Sequence, residues 1–211
     1  MKITRLIHSC LLIEDLRSNI LVDPGNFSWD DDQIQIENLP KIDFILITHK
    51  HADHCEPKFV QAVLDANPEV IIIGNSEVVE ELARSNIKAQ TNPPDWIEMT
   101  TLKHSSLWRG MPELDNTVFT LWGELTIFGD NQQLDKVDFA DTVIFPIVAP
   151  WGSLVETINY ILNNPPKRVI PVHDWHLSEL GQQWYYQRMA DTLPAHGIEF
   201  MNLKPTETID L

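Results

Sequence analysis

A fold with helices packed outside a sheet is what the 211-residue sequence predicts. Three observations carry this. Short apolar runs at 44–47, 70–73 and 143–148 have the length of buried strands. Segments of helical periodicity alternate with them. Phe59, Val60, Val63 and Leu64 share one helical face, as do Leu154, Val155, Ile158, Ile161 and Leu162. Alternation of this kind lays helices on the outside of a sheet. The length suits one hydrophobic core and a single domain over residues 1–211.

Taken in order, residues 2–6 and 10–14 alternate as strands, with His8 and Ser9 between them. A third strand ends at Val22, before Asp23-Pro24-Gly25. Asp23 thus falls where strand gives way to loop, a place for a carboxylate that supports a neighbouring ligand. Residues 26–40 are polar and acidic, with Asp30-Asp31-Asp32 at the centre. They read as a solvated loop, or as a flap with Phe27 and Trp29 as wedges. Pro57 opens a helix that Asn67-Pro68 ends. The strand at 70–73 is closed by Gly74, and a helix over 77–85 takes Ser76 as its cap. Residues 96–102 read as strands with a break, and 117–122 and 125–128 as a hairpin across Gly123-Glu124. The strand at 143–148 leads into the loop Ala149-Pro150-Trp151-Gly152. Ser153 and Glu156 then form a capping box, and Asn164-Pro165-Pro166 stops that helix. Residues 168–172 are the last clear core strand, followed by a helix over 178–192 and a strand near 198–201. No internal repeat is visible.

The chemistry concentrates at Thr48-His49-Lys50-His51-Ala52-Asp53-His54-Cys55, where three of the eight histidines fall within six residues. Alternate side chains of an extended segment point the same way, so His49 and His51 can place two imidazoles on one metal ion. A turn then aims Asp53 and His54 at a neighbouring point. One short loop thereby supplies ligands to two adjacent ions. A carboxylate buried among imidazoles is costly unless a cation accompanies it. A surface histidine cluster or a closed structural zinc are the alternatives. The latter is usually four-coordinate and often thiolate-rich, and Cys55 is the only nearby thiol. His176 reads as a structural histidine or a group supporting the site, and His196 as a surface residue.

On Thr48-His49-x-His51-x-Asp53-His54 behind a buried strand, the chain resembles the metallo-β-lactamase superfamily. The likeness extends through His8-Ser9, Asp23-Pro24 and the later histidines to residue 173. It implies an α+β, four-layer αββα sandwich with a two-metal site on its rim. It further implies that His49, His51 and His104 hold one metal, that Asp53, His54 and His173 hold the other, and that Asp130 bridges. Asp53 is the expected proton acceptor when the leaving group departs. His8 is a candidate catalytic or substrate-contact residue, with a hydrogen-bonded structural histidine as its alternative. Trp108 and Arg109 are candidates for a pocket wall and an anion clamp, and Cys55 for the site's lining. Two departures stand out. Ile7 replaces the glycine usual in the small-hydrolase branch, and Asn131-Gln132-Gln133 stands where that branch continues with threonine and a nearby glycine.

Two divalent metal ions are expected, zinc first, with manganese or iron as alternatives, about 3.5–4 Å apart. The water that they ionise would attack an electrophilic carbonyl or phosphorus. The expected reaction is hydrolysis of a lactone, ester or phosphoester in a small metabolite, similar to the branch related to ascorbate-6-phosphate lactonase. The alternatives are a phosphodiesterase of the same fold, a non-hydrolytic diiron or metal-binding redox module, and a degenerate binding scaffold. A formal charge of −16 argues against nucleic acid as a partner. No apolar run approaches the roughly 18 residues of a membrane span, and no signal-peptide core follows Met1. The expectation is a cytoplasmic protein with a small-molecule substrate and no membrane partner. Self-association into a homo-oligomer stays open. Two cysteines are too few for a disulfide scaffold and are expected to be reduced and packed.

Overall fold

The computed structural model describes residues 1–30, 34–106, 110 and 112–211. Its chain divides into two units, Met1–Pro93 with Leu203–Leu211, and Pro94–Asn202.

The first unit is built on strands β1 (Lys2–Arg5), β2 (Leu11–Glu14), β3 (Asn19–Val22), β4 (Phe44–Ile47) and β5 (Ile71–Gly74), with helices α1 (Asn26–Trp29), α2 (Pro57–Ala66) and α3 (Ser76–Ala83). β1, β2 and β3 pair antiparallel, and β3, β4 and β5 parallel. Parallel strands are covered on both faces. That is why Ile45, Leu46 and Ile47 are all fully buried and read as an unbroken apolar run. Pro57 opens α2 because its missing N–H is not needed there, and the Glu56 side chain accepts from Lys58 N. Phe59, Val60 and Val63 form the buried face of α2. Asn67 ends the helix and ties it back, donating to Val63 O at 2.9 Å and accepting from Ile42 N at 2.9 Å. The cap of α3 is Asn75, whose side chain accepts from Val78 N, and Ser76 is the first helical residue rather than the cap. Within 26–40, residues 26–29 form α1 and Ile36–Asn38 a 3-10 turn, so the segment is not a uniform loop.

The sequence reading does not include the last strand of this sheet. After strand β11 (Glu199–Phe200) of the second unit, the chain returns as β12 (Thr208–Asp210) to pair antiparallel with β1. The returning segment is held by Arg5, which is 2% exposed and donates from Nη1 to Leu203 O at 2.8 Å.

The second unit repeats the plan. β6 (Ile97–Lys103), β7 (Asp115–Leu121) and β8 (Leu125–Ile127) pair antiparallel. β9 (Thr142–Pro146), β10 (Arg168–Val172) and β11 (Glu199–Phe200) continue parallel, with α4 (Leu154–Asn163) and α5 (Glu179–Thr192) between them. β6 is one continuous strand, not two pieces with a break. The β7–β8 turn places Trp122 (φ 53) and Gly123 (φ 68) in the left-handed region, as a tight hairpin requires. The capping box is formed, with Ser153 and Glu156 satisfying each other's backbone. The buried face of α4 is Leu154, Thr157 and Ile161. Val155, expected inside, is 68% exposed. Thr157 enters because its hydroxyl has partners, accepting from Gln132 Nε2 at 2.6 Å and donating to Ile147 O at 3.3 Å. Among the described residues, no helix is long and apolar enough to cross a membrane.

Candidate metal centre

In the first unit the histidine loop leaves β4 and is clamped by its neighbours. Thr48 donates from N and Oγ1 to the two carboxylate oxygens of Asp23 at 2.7 and 2.8 Å. Asp23 stands just after β3 with φ 45, so both strand ends are tied together where the loop starts. Asn75 Nδ2 donates to Thr48 O at 3.1 Å. Asn26 N donates to Ala52 O at 2.8 Å, and Glu56 N to Pro24 O at 2.9 Å. Gly25 permits this approach, because a Cβ there would lie 1.8 Å from Asp53 O. A turn within the loop is closed by His54 N and Cys55 N, which both donate to His51 O.

These clamps set the rings. His54 Nδ1 donates to Asp23 Oδ2 at 2.8 Å, because an ionised carboxylate only accepts. The proton is therefore on Nδ1, and Nε2 offers a lone pair. Thr48 Oγ1, already donating to Asp23, accepts from His49 Nδ1 at 3.1 Å and sets His49 the same way. His49 Nε2 then lies 3.1 Å from His51 Nδ1. His8 Nε2 is 3.3 Å and His54 Nε2 3.9 Å from Asp53 Oδ2. The possible ligand atoms of His8, Asp53 and His54 all lie within 4.8 Å of one another. His8 reaches this place without a preceding glycine. It takes the left-handed conformation itself (φ 61), inside a turn closed by Leu6 N to Cys10 O and Cys10 N to Ile7 O. Its ring meets Phe27 edge-on at 5.2 Å.

In the second unit His104 follows β6, Asp130 follows β8 and His173 follows β10, as the sequence predicts. His104 Nδ1 donates to Ser105 O at 2.6 Å and His173 Nδ1 to Val148 O at 2.7 Å. Both Nε2 atoms therefore carry lone pairs, and each lies 3.1 Å from Asp130 Oδ2. Asp130 is 2% exposed, and its N–H donates to Asn116 Oδ1 at 2.9 Å. His173 also sits at positive φ (68). Trp151 meets both histidine rings, at 6.1 Å from His104 and 5.9 Å from His173. His176 lies 5.9 Å from His173 by ring centroid and is exposed.

The donor chemistry fits metal ions in both units. Nitrogen lone pairs facing carboxylate oxygens are acceptors facing acceptors, which a buried setting tolerates only with protons or a cation between them. Two atoms bonded to one ion at about 2.0–2.2 Å sit roughly 2.8–3.6 Å apart for octahedral to tetrahedral angles. The separations of 3.1 Å for His49–His51, His104–Asp130 and His173–Asp130 fall in that interval. The supporting groups also follow the pattern of metal sites, in which a ligating imidazole donates its other nitrogen to a fixed acceptor.

Of the sequence-predicted residues, His49, His51, Asp53 and His54 come together with His8 in the first unit, and His104, Asp130 and His173 in the second. Cys55 belongs to the first unit's apolar core. Burial pushes its thiol up to about 12, and the charges of Asp23, Glu81 and Glu56 add to this. Trp108, Arg109, Asp31 and Asp32 lie outside the described residues. Sequence reasoning missed Thr48 as the organiser of two histidines, although its place between strand and motif was visible. It also missed Asp174, which is 2% exposed and accepts from the Tyr186 hydroxyl. No local pattern announces that pair.

A family profile described as the Beta-lactamase superfamily domain matches residues 2–173. The chain belongs to the metallo-β-lactamase superfamily, and its class is metal-dependent hydrolase. Protein Rv0786c of Mycobacterium tuberculosis is 23% identical over 207 residues, covering 90% of this chain and 92% of its own. A metal-dependent hydrolase of Caldivirga maquilingensis is 24% identical over 220 residues, covering 97% and 95%. Among solved structures, Igni18, a metallo hydrolase of Ignicoccus hospitalis, has a TM-score of 0.70 at 17% identity, covering 99% of this chain and 97% of its own. That likeness concerns the fold alone.

Proposed function

We propose that His49, His51, Asp53, His54, His104, Asp130 and His173 form one dinuclear centre, and that the chain hydrolyses a lactone, ester or phosphoester in a small metabolite. The observation that carries this is the hydrogen-bond partner at Nδ1 of His49, His54, His104 and His173. Each Nδ1 has an acceptor, which leaves each Nε2 for a metal. The donor set of imidazole and carboxylate suits zinc, manganese or iron, and zinc is the first choice. Bound ions would supply Lewis acidity and a readily ionised water.

The protein's own groups do the rest. Asp53 receives the proton at Oδ2 and returns it to the departing oxygen, which requires a carboxylate held within reach of the reacting atoms. His8, 3.3 Å from that oxygen, orients it and meets the substrate. Thr48 and Asp23 hold the imidazoles in one tautomer while the charge at the centre changes. The remaining expectations follow from the same reading: a cytoplasmic enzyme, a small-molecule substrate and no nucleic-acid partner, supported by the charge of −16.

The test is metal analysis of the purified chain and of His51→Ala and Asp130→Ala, with turnover of lactones, thioesters, phosphodiesters and β-lactams. Two ions per wild-type chain, fewer in both variants and loss of turnover are expected. Unchanged metal content in both variants would defeat the ligand assignment. An absorbing diiron centre without hydrolysis would favour the redox alternative.

A further inference from the structure

Trp151 occupies the third position of the tight turn 149–152, which Gly152 N closes by donating to Ala149 O at 3.1 Å. Pro150 pre-sets the second position. The buried Gln132 amide lies against this turn. A Cβ on Gly152 would come 3.1 Å from Gln132 Oε1, and Gln132 Nε2 donates to Pro146 O at 3.0 Å and Thr157 Oγ1 at 2.6 Å. The residue just before the turn, Val148, supplies the carbonyl that sets the His173 tautomer. The turn thus packs against Gln132, which is bonded to β9 and α4, and adjoins Val148, which is bonded to His173.

That indole stands at 77° to the His104 ring and 50° to the His173 ring. The histidines are 7% and 4% exposed, whereas Trp151 is only half-buried. Beside the donors there is therefore an aromatic surface still partly open to solvent. Such a surface gives contact area at low entropic cost and favours flat apolar groups in offset or edge-on contact.

We propose that Trp151 is the specificity-determining residue, and that the substrate is an ester or lactone carrying a flat aryl group that packs on its indole. This rests on the metal-centre reading above. The zinc-loaded chain is titrated calorimetrically with phenylacetohydroxamate and with acetohydroxamate, chelators distinguished by the aryl group. The wild-type chain is expected to prefer the aryl compound by about three- to tenfold. Trp151→Phe keeps most of that preference. Trp151→Ala loses it, with bound zinc and acetohydroxamate affinity within about twofold of wild type. Trp151→Leu carries the same comparison should the alanine variant fail to fold. An aryl preference that survives in Trp151→Ala, or its absence in wild type, overturns the proposal. Failure of both hydroxamates to bind overturns the metal-centre reading and the proposal together. Esters and lactones with aryl and alkyl groups are assayed in parallel. Faster turnover of the aryl series in wild type supports the assignment. Aryl-selective binding without turnover of any of them supports the packing role and overturns the ester assignment.

Discussion

Replacing Asp23 by asparagine isolates the tautomer argument from simple loss of packing. The variant keeps the shape of the side chain, and its carbonyl oxygen still accepts from Thr48 N, now at 2.7 Å. What changes is Oδ2, which accepts from Thr48 Oγ1 and His54 Nδ1 at 2.8 Å each. An NH₂ there is a donor. Thr48 adapts, because a hydroxyl can turn and accept. His54 can accept only if its proton moves to Nε2, the atom needed for metal. Metal affinity is expected to fall about 10–100-fold, the usual consequence of removing a group that orients a ligating histidine. That corresponds to roughly 1.4–2.8 kcal/mol. Competition with a chromophoric chelator measures the affinity, and nitrogen chemical shifts of the imidazoles report the tautomer. If the variant binds metal within twofold of wild type while His54 keeps its proton on Nδ1, Asp23 does not set the ligand and the reasoning fails.

Other consequences are equally direct. Gly25→Ala drives a methyl into the Asp53 backbone, 1.8 Å from its oxygen; urea midpoints are expected to drop by the equivalent of at least about 1–3 kcal/mol, with metal content falling too. Cys55, raised to about 12 by burial, and Cys10, also raised by burial, stay protonated in the folded chain. At pH 8 a thiol-disulfide reagent should label neither until urea is added. Because both folded values are raised, their contribution is complete below the unfolded thiol value of about 8.5 and is lost as pH climbs toward 12, where the unfolded chain sheds protons that the folded chain keeps; alkaline urea titrations check this against Cys10→Ala/Cys55→Ala. Ser153→Ala opens the capping box of α4 and is expected to cost about 1 kcal/mol in the same urea assay, with metal binding unchanged.

Much of the fold was legible because local signals and burial agree. The run 44–47 is fully apolar since β4 lies between two parallel neighbours, and the helix over 178–192 is capped by Ser178, whose side chain accepts from Gly181 N. Where the reading slipped, side-chain partners overrode composition. Thr157 is buried in place of Val155 because its hydroxyl is bonded twice. Asn75 caps α3 ahead of Ser76 because its carbonyl reaches Val78 N. The repeated plan of the two units, three antiparallel strands followed by parallel ones, left no trace in the residues. Topology depends on apolar pattern, which many sequences satisfy.

Taken alone, the order of residues determined the chemistry on offer: His-x-His-x-Asp-His after a buried strand, and His104, Asp130 and His173 shortly after three of the later strands. Alternation along an extended chain is a local rule, so it can be read from spacing. Only the tertiary structure decided which nitrogen His54 and His173 present, for that depends on an acceptor far along the chain, Asp23 for His54 and Val148 for His173. It decided likewise that Gly25 must be bare beside Asp53, that the chain's end returns to β1, and that Trp151 lies against two ligand candidates. Hydrogen bonds and close contacts between distant segments are settled by packing, and no window of neighbouring residues contains them.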